Sequence, residues 1–197
     1  ARHDDNSEFD SAKTYRAEAI YQLTEAIRLR GAVGTAVKNP TFTERFGFYT
    51  NFIGNPNLIP EESTSWELGA DQLIMGGALT LSLTIFEAEL ENEIDGFIYD
   101  PATFAYTSSN INGTSERKGA ELSAVGNISE SMSLSAAYTY TDSTGDDAVR
   151  EVRRPRHIAS LNLGWQAAHN LHLNTNIQFT GEQTDVYFPP FPEPSQV

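Results

Sequence analysis

The stretch Leu171-His172-Leu173-Asn174-Thr175-Asn176-Ile177-Gln178-Phe179-Thr180 sorts its side chains by parity. Leu171, Leu173, Thr175, Ile177 and Phe179 fall on one face of an extended chain; His172, Asn174, Asn176, Gln178 and Thr180 fall on the other. Successive strand residues point to opposite faces, so this reads as a strand with one apolar and one polar side. Seven more segments obey the same rule. Residues 79–86 set Leu79, Leu81, Leu83 and Ile85 against Thr80, Ser82 and Thr84; residues 159–165 set Ala159, Leu161, Leu163 and Trp165 against Ser160, Asn162 and Gly164. Residues 132–141, 15–23 and 27–38 follow, and 66–71 and 120–124 are shorter runs of the same kind. Eight such strands in succession predict an all-β fold, the antiparallel wall of a transmembrane β-barrel with one face to lipid and the other to water or a plug. Arg28, Arg30 and Glu18 lie on the polar side. A midplane Arg facing lipid costs about 2–4 kcal/mol, so the polar side is assigned to the interior.

The links alternate in length. Residues 24–25, 74–77, 127–131 and 166–170 are short; 39–62, 92–116, 143–155 and 182–197 are long. Barrels of this class have short periplasmic turns and long extracellular loops, which puts residues 1–13 and the long links outside. Tyr15, Trp66, Tyr138 and Tyr140 near the outer strand ends, with Tyr21 and Trp165 near the inner ends, fit two interfacial aromatic girdles.

Composition is compatible and excludes other classes. The chain of 197 residues is 39% hydrophobic with a mean hydropathy of −0.39, and it holds no run near the roughly 20 apolar residues of a spanning helix. Alternation hides apolar residues from a hydropathy average. A net charge of −14 without a basic stripe argues against nucleic acid as a partner. There is no cysteine and no leader pattern at residue 1, and the polar opening Asp4-Asp5-Asn6-Ser7-Glu8 reads as sequence from within a longer protein. The acids concentrate in the outer links. Asp142, Asp146 and Asp147 have carboxylates for a divalent cation, but their spacing matches no regular loop, and neither a metal nor a cofactor is expected. Arg150, Arg153, Arg154 and Arg156 either balance neighbouring acids, the preferred reading, or meet phosphates of surface lipopolysaccharide.

The catalytic patterns are thin. Ser115-Glu116-Arg117-Lys118 fits Ser-x-x-Lys but precedes a strand instead of opening a helix, and His3, His157, His169 and His172 are scattered. No enzyme activity is expected. The long link carrying Phe42, Phe46, Phe48, Tyr49 and Phe52 is the candidate ligand-binding site. Large aromatics on an outer loop form either a ligand or partner surface or the loop's own packing.

Between Gly34 and Gly69 the chain reads GTAVKNPTFTERFGFYTNFIGNPNLIPEESTSWELG. Here Gly34, Thr35, Lys38 and Pro40 are followed by Asn55, Pro56, Leu58, Pro60 and Glu61, then by Trp66, Glu67 and Gly69. This order resembles TonB-dependent outer-membrane receptors, nearest in look to their vitamin B12 transporter branch. RKGAELS at 117–123 and RRPRHIASLNLGW at 153–165 resemble two further strand starts of that family. The resemblance implies about eight strands of a larger, 22-stranded type of barrel with a plugged lumen. It also implies import of a scarce large nutrient, cobalamin or an iron-siderophore. The partners it implies are the rest of the barrel and its plug, the TonB complex acting through that plug, outer-membrane lipid and lipopolysaccharide. The whole chain, 1–197, would be one part of the barrel domain, lacking the plug and the closing strands. On the residues alone, a passive porin and a soluble β-rich binding or hydrolytic domain stay open. Pro40 and the Asn55-Pro56 and Pro60 pair read as punctuation, Gly69 and Gly119 as local room within strands, and Glu67 and Glu121 as interior carboxylates able to pair with Arg28, Arg30 or Arg117.

Overall fold

A computed structural model of the chain describes residues 1–145, 149–187 and 195–196. Eight strands form one antiparallel sheet in which every strand pairs with its neighbours in the wall. They are β1 (Arg16–Gln22), β2 (Ile27–Lys38), β3 (Glu61–Ile74), β4 (Leu79–Glu91), β5 (Thr114–Ser129), β6 (Met132–Thr144), β7 (His157–Ala168) and β8 (Leu171–Thr180). Short turns join β1–β2, β3–β4, β5–β6 and β7–β8, and long links join the others at the opposite end. At the first turn the Thr24 hydroxyl oxygen accepts from the amides of Ala26 (3.2 Å) and Ile27 (3.0 Å), closing the chain without a longer loop.

The register carries one parity through all eight strands. Tyr21 pairs with Leu29, Leu29 with Ala70, Ala70 with Leu83, Leu83 with Leu122, Leu122 with Tyr138, Tyr138 with Ala159, and Ala159 with Phe179. Directly opposite residues share a face, so the apolar sets read from each strand join into one continuous band. A slip of one residue anywhere would split that band between the two faces. The band is solvent-exposed in the isolated chain: Ile177, Phe179, Leu83 and Leu122 all stand open. A sheet whose large apolar side chains point outward, with few buried hydrophobic residues, has its apolar environment outside the protein, as a lipid-facing wall does. Toward the long links this face turns acidic above Trp66 and Ile85, where Glu87 pairs across to Lys118 and Glu89 to Glu116. The band therefore has an upper edge. β3, β4, β5 and β6, at 14, 13, 16 and 13 residues, exceed the roughly 9–11 that cross a bilayer and project above it. This explains why the short runs 66–71 and 120–124 lie inside much longer strands: above the lipid both faces are wet, and the alternation fades.

The polar face is organised around Asp71. Register places Asp71 beside Arg28 on β2 and Ser82 on β4. Arg28 Nη2 approaches its carboxylate at 2.9 Å and Arg30 Nε at 3.6 Å, while Arg30 Nη2 donates to Thr84 Oγ1 at 2.5 Å. Arg30 can lie flat here because its cross-strand neighbour is Gly69; a Cβ there would sit 2.6 Å from the guanidinium carbon. Gly119 is the same kind of position, since a Cβ would run into the Tyr140 carbonyl oxygen. The expected partnership of Glu67 and Glu121 with arginine is corrected. Among the described residues neither forms an ion pair: Asp71, nearer along the same face, takes Arg28 and Arg30, and Arg117 is taken by Glu93 (2.6 Å) and Glu151 (2.8 Å).

The outer links carry structure of their own. Arg2–Asp4 pairs with Ala12–Thr14, and Ile94–Asp100 pairs with Ala105–Asn110, so the link 92–113 is a hairpin standing above the wall. Arg117 ties that hairpin, through Glu93, to the next outer link, through Glu151. Three members of the arginine cluster pair with local acids, Arg153 with Asp185 (2.8 Å), Arg154 with Glu151 (2.8 Å) and Arg156 with Asp142 (2.8 Å), and Arg150 donates to the carbonyls of Arg154 and Glu182. The cation site considered at Asp142, Asp146 and Asp147 includes two residues outside the described ones, and Asp142 is engaged by Arg156. Burial opposes ionisation of Glu151, but hydrogen bonds from Arg117 and Ser143 and the charges of Arg117 and Arg154 outweigh it and hold the carboxyl below its usual range.

Three measurements follow from this architecture. Leu83→Arg or Leu161→Arg should lose about 2–4 kcal/mol and block barrel assembly, whereas Asn162→Arg, on the polar face, should assemble; equal defects, read by heat-modifiable gel mobility, would overturn the facing. A protease site placed at the hairpin tip, 101–104, should be cut on intact cells and one at 75–77 should not, and the reverse pattern would invert the topology. Glu151 has a depressed folded pKa, so its contribution is present above about pH 4.3 and is lost as pH falls through the lower, folded value. Hydrogen exchange in 93–94 and 149–154 should accelerate below that pH in the wild type, and Glu151→Gln should show the acid-state exchange already at neutral pH.

Candidate functional site

The aromatic link begins with a single helical turn, Phe42–Phe46. Thr41 caps it: the Glu44 amide donates to Thr41 Oγ1 at 3.3 Å, and the Thr41 amide donates to the Glu44 carboxylate at 2.7 Å. This reciprocal pair satisfies two amides that a helix start otherwise leaves open. It sets Phe42 and Phe46 one turn apart, with ring centroids 4.9 Å from each other. After Gly47 the chain doubles back, and Tyr49 and Phe52 form a bridge. Gly54 permits this close return, because a Cβ there would collide with the backbone of Arg45 and Phe46.

Two outer links meet here. Phe52 bridges to Tyr106 in the hairpin; the Ile53 amide donates to the Tyr106 carbonyl (2.8 Å), and the Tyr106 amide donates to the Asn51 carbonyl (2.8 Å). Side chains complete the clamp. Asn55 Nδ2 donates to the Ser108 carbonyl at 3.0 Å, and Asn110 receives the Ile59 amide at 3.0 Å while donating to the carbonyls of Ile59 (3.0 Å) and Asn92 (2.7 Å). Glu61 receives the Ile94 amide at 2.9 Å and pairs with Lys38 at 3.0 Å. Leu58 is buried beneath. Asn55, read as loop punctuation, and Glu61, at the end of the same motif, thus join one outer link to the next.

The five aromatics divide. Phe52 is 4% exposed; its ring lies 5.3 Å from Phe48, 6.1 Å from Tyr49 and 5.6 Å from Phe97. It is the anchor of the cluster. Phe42 (75%), Phe48 (63%), Phe46 (55%) and Tyr49 (46%) remain open. Phe97 stacks on Tyr106 at 4.5 Å, and Tyr99 meets Tyr106 edge-on at 5.6 Å. Phe97, Tyr99 and Tyr106 were not singled out from the sequence; the signal was available in the alternation of 94–100, a strand-like run inside a nominal loop. Phe52 thus packs within the link, while Phe42, Phe46, Phe48 and Tyr49 pack on one another and keep exposed ring surface. Such a surface can hold a large ligand by contact area and ring stacking. Among the described residues no set of three His, Cys, Asp or Glu is arranged to hold a metal ion.

The fold recurs in solved receptors. The siderophore receptor PirA from Pseudomonas aeruginosa is similar with a TM-score of 0.73 at 23% identity, over 91% of this chain and 32% of that one. The ferric-catecholate import receptor Fiu from Escherichia coli K12 gives 0.69 at 20% identity, over 90% and 25%. The alcaligin outer-membrane receptor FauA from Bordetella pertussis gives 0.66 at 19%, over 88% and 30%. The chain thus spans about a quarter to a third of the receptors it matches. At these identities the likeness is one of fold. The model of the β-barrel of TonB-dependent receptor-like proteins matches residues 1–195. That match, over a wall whose parity, turns and outer links are those of a lipid-facing barrel, shows that the chain belongs to the TonB-dependent receptor β-barrel family of the bacterial outer membrane.

Proposed function

We propose that this chain is an arc of an energised importer that captures a scarce, large nutrient outside the cell, of the iron-siderophore or cobalamin type. The observation that carries the reading is the open aromatic surface of Phe42, Phe46, Phe48 and Tyr49, fixed to the neighbouring hairpin through Phe52 and Asn55. Rings of this size bring about 150–250 Å² of contact each at little ordering cost, and a clamp that holds them in place spares a ligand the cost of organising the loops. Siderophore receptors among the structures of similar fold favour an iron chelate; the vitamin B12 branch resembled in sequence makes cobalamin the second ligand to try. The rest of the barrel covers the free edges of β1 and β8, because open strand edges are not tolerated in lipid. A plug fills the lumen against the polar face, and the TonB complex acts through it.

In the full-length receptor, Phe46→Ala, Phe48→Ala and Tyr49→Ala together should weaken ligand binding at least about tenfold, near 1.4 kcal/mol, and leave the barrel folded by heat-modifiable mobility. Phe52→Ala should instead loosen both outer links, seen as faster proteolysis of 97–106. Unchanged binding of iron-siderophore and cobalamin ligands by the folded triple variant would assign these rings to loop packing. Uptake that persists without TonB would favour a passive porin.

A further inference from the structure

The hairpin that carries Phe97, Tyr99 and Tyr106 is held at its neck as well as at its rings. The Ile111 amide donates to the Glu93 carbonyl at 2.7 Å and closes the neck, and Glu61 receives the adjoining Ile94 amide. The Glu93 carboxylate in turn meets Arg117 Nη2 at 2.6 Å. Arg117 stands on β5 opposite Ala88, above the level of Ile85. Its second partner is Glu151, in the next outer link. Arg117 Nε donates to one Glu151 carboxylate oxygen at 3.0 Å, and Nη2 donates to the other at 2.8 Å. A two-pronged pair of this kind fixes direction as well as distance. One guanidinium thus joins the base of the ring-bearing hairpin to the third outer link.

The Glu151 carboxylate accepts from three side chains: Arg117, Arg154 through Nε at 2.8 Å, and the Ser143 hydroxyl. The Glu151 amide also donates to the Ser143 carbonyl at 3.1 Å, so the link is fastened to β6 at the same point. Ser143 is buried, and the side chains of Arg117, Glu93 and Glu151 are mostly so. Ion pairs held out of water are weakly screened by salt, and removing one partner leaves the other poorly solvated. The groups facing Glu151 are therefore Arg117 from β5, Ser143 from β6 and Arg154 from its own link, with Glu93 of the hairpin on the far side of Arg117. Protonating Glu151 would remove the charge that both arginines face and turn one acceptor oxygen into a donor. The contacts that depress its carboxyl keep it ionised at neutral pH. The joint is accordingly closed there and loosens only as pH falls through that lowered value.

We propose that Arg117 is a positioning residue for ligand capture: it makes the link around Glu151 part of the body that holds the rings, so that ligand bound at the rings orders this link and protonation of Glu151 weakens the ligand's hold. This rests on the capture surface proposed above and adds a residue outside that surface on which its affinity depends. Coupling between two sites is reciprocal. If the ligand steadies the link, the state of the link must bear equally on the ligand.

The test uses the full-length receptor, a ferric trihydroxamate and cyanocobalamin as probes, and heat-modifiable mobility as the control for folding. At neutral pH a bound probe should slow hydrogen exchange in 149–154 as well as in 42–52. Arg117→Gln should remove the protection of 149–154, keep that of 42–52 and weaken binding at least about fivefold, the lower end of coupling between sites. Glu151→Gln, which keeps the shape and loses the charge, should weaken binding to the same extent. Between about pH 7 and pH 3 the wild type should lose affinity below about pH 4.3, and Glu151→Gln should lose none further. That comparison separates Glu151 from Glu61 and Glu93, the other carboxylates of the neck. Should Arg117→Gln not assemble, Glu151→Gln carries the same measurements. Unprotected 149–154 in the liganded wild type, unchanged affinity in the folded variants, or an equal acid loss in Glu151→Gln would each overturn the inference. The ring-to-Ala variant separates the two levels. If it weakens binding while Arg117→Gln and Glu151→Gln do not, the coupling alone fails. If it leaves binding unchanged, or neither probe binds the folded receptor, the capture surface fails and the coupling with it.

Discussion

The constraint on which everything else depends is that the backbone of a lipid-exposed strand must find all its hydrogen bonds in neighbouring strands, and must do so without turning a polar side chain to hydrocarbon. With period two, these demands become one demand on register. The pairs running from Leu29 across to Phe179 meet it in every wall strand they cross, and the compensating line, Arg28 to Asp71 to Ser82, runs along the other face. Parity does the work that a buried core does in a soluble fold. The few buried apolar residues, Phe52, Leu58, Leu79 and Ala105, lie mostly in the outer links, where water is on every side and a small core is needed.

That division explains what the sequence disclosed. Where lipid lies on one side and water on the other, alternation is forced, and the strands holding Leu79 to Ile85 and Leu171 to Phe179 can be read directly. Above Trp66 and Ile85 water lies on both sides, so Glu87 and Glu89 occupy positions of apolar parity, and β3 and β5 run on past the point where the pattern stops. The hairpin 94–110 was missed for a related reason. Residues 94–100 do alternate, but Phe97, Tyr99 and Tyr106 serve a local cluster with the preceding link, and a partner as distant along the chain as Phe52 cannot be read from alternation.

The interior ion pairs show the same limit in a sharper form. Face and charge are legible from parity, but choice of partner is not, because it depends on which strands adjoin and at what offset. Glu67, Glu121 and Asp71 share a face; only Asp71 stands at the level of Arg28, one strand away, with Gly69 leaving room for Arg30 to reach it. A carboxylate four residues higher, as Glu67 is, or two strands further along, as Glu121 is, is chemically equivalent and geometrically excluded.

The Asn55, Pro56, Leu58, Pro60 and Glu61 series carries the most consequence of any motif here, because Asn55 and Glu61 act between links and not only within one. Asn55 and Asn110 exchange hydrogen bonds with backbone groups of the opposite link, and Glu61 holds the base of the hairpin at Ile94. Single loops above a barrel gain little from burial and open readily; two loops that share Phe52 and these amides must open together. The exposed rings of Phe46, Phe48 and Tyr49 therefore ride on a body with the stability of both links. A ligand that touches one link bears on the other, and through Glu93, Arg117 and Glu151 on the third. The outer links of this arc form a connected cap whose ring faces are already in position, so under the proposed capture role a ligand would not bear the entropy of gathering three separate loops.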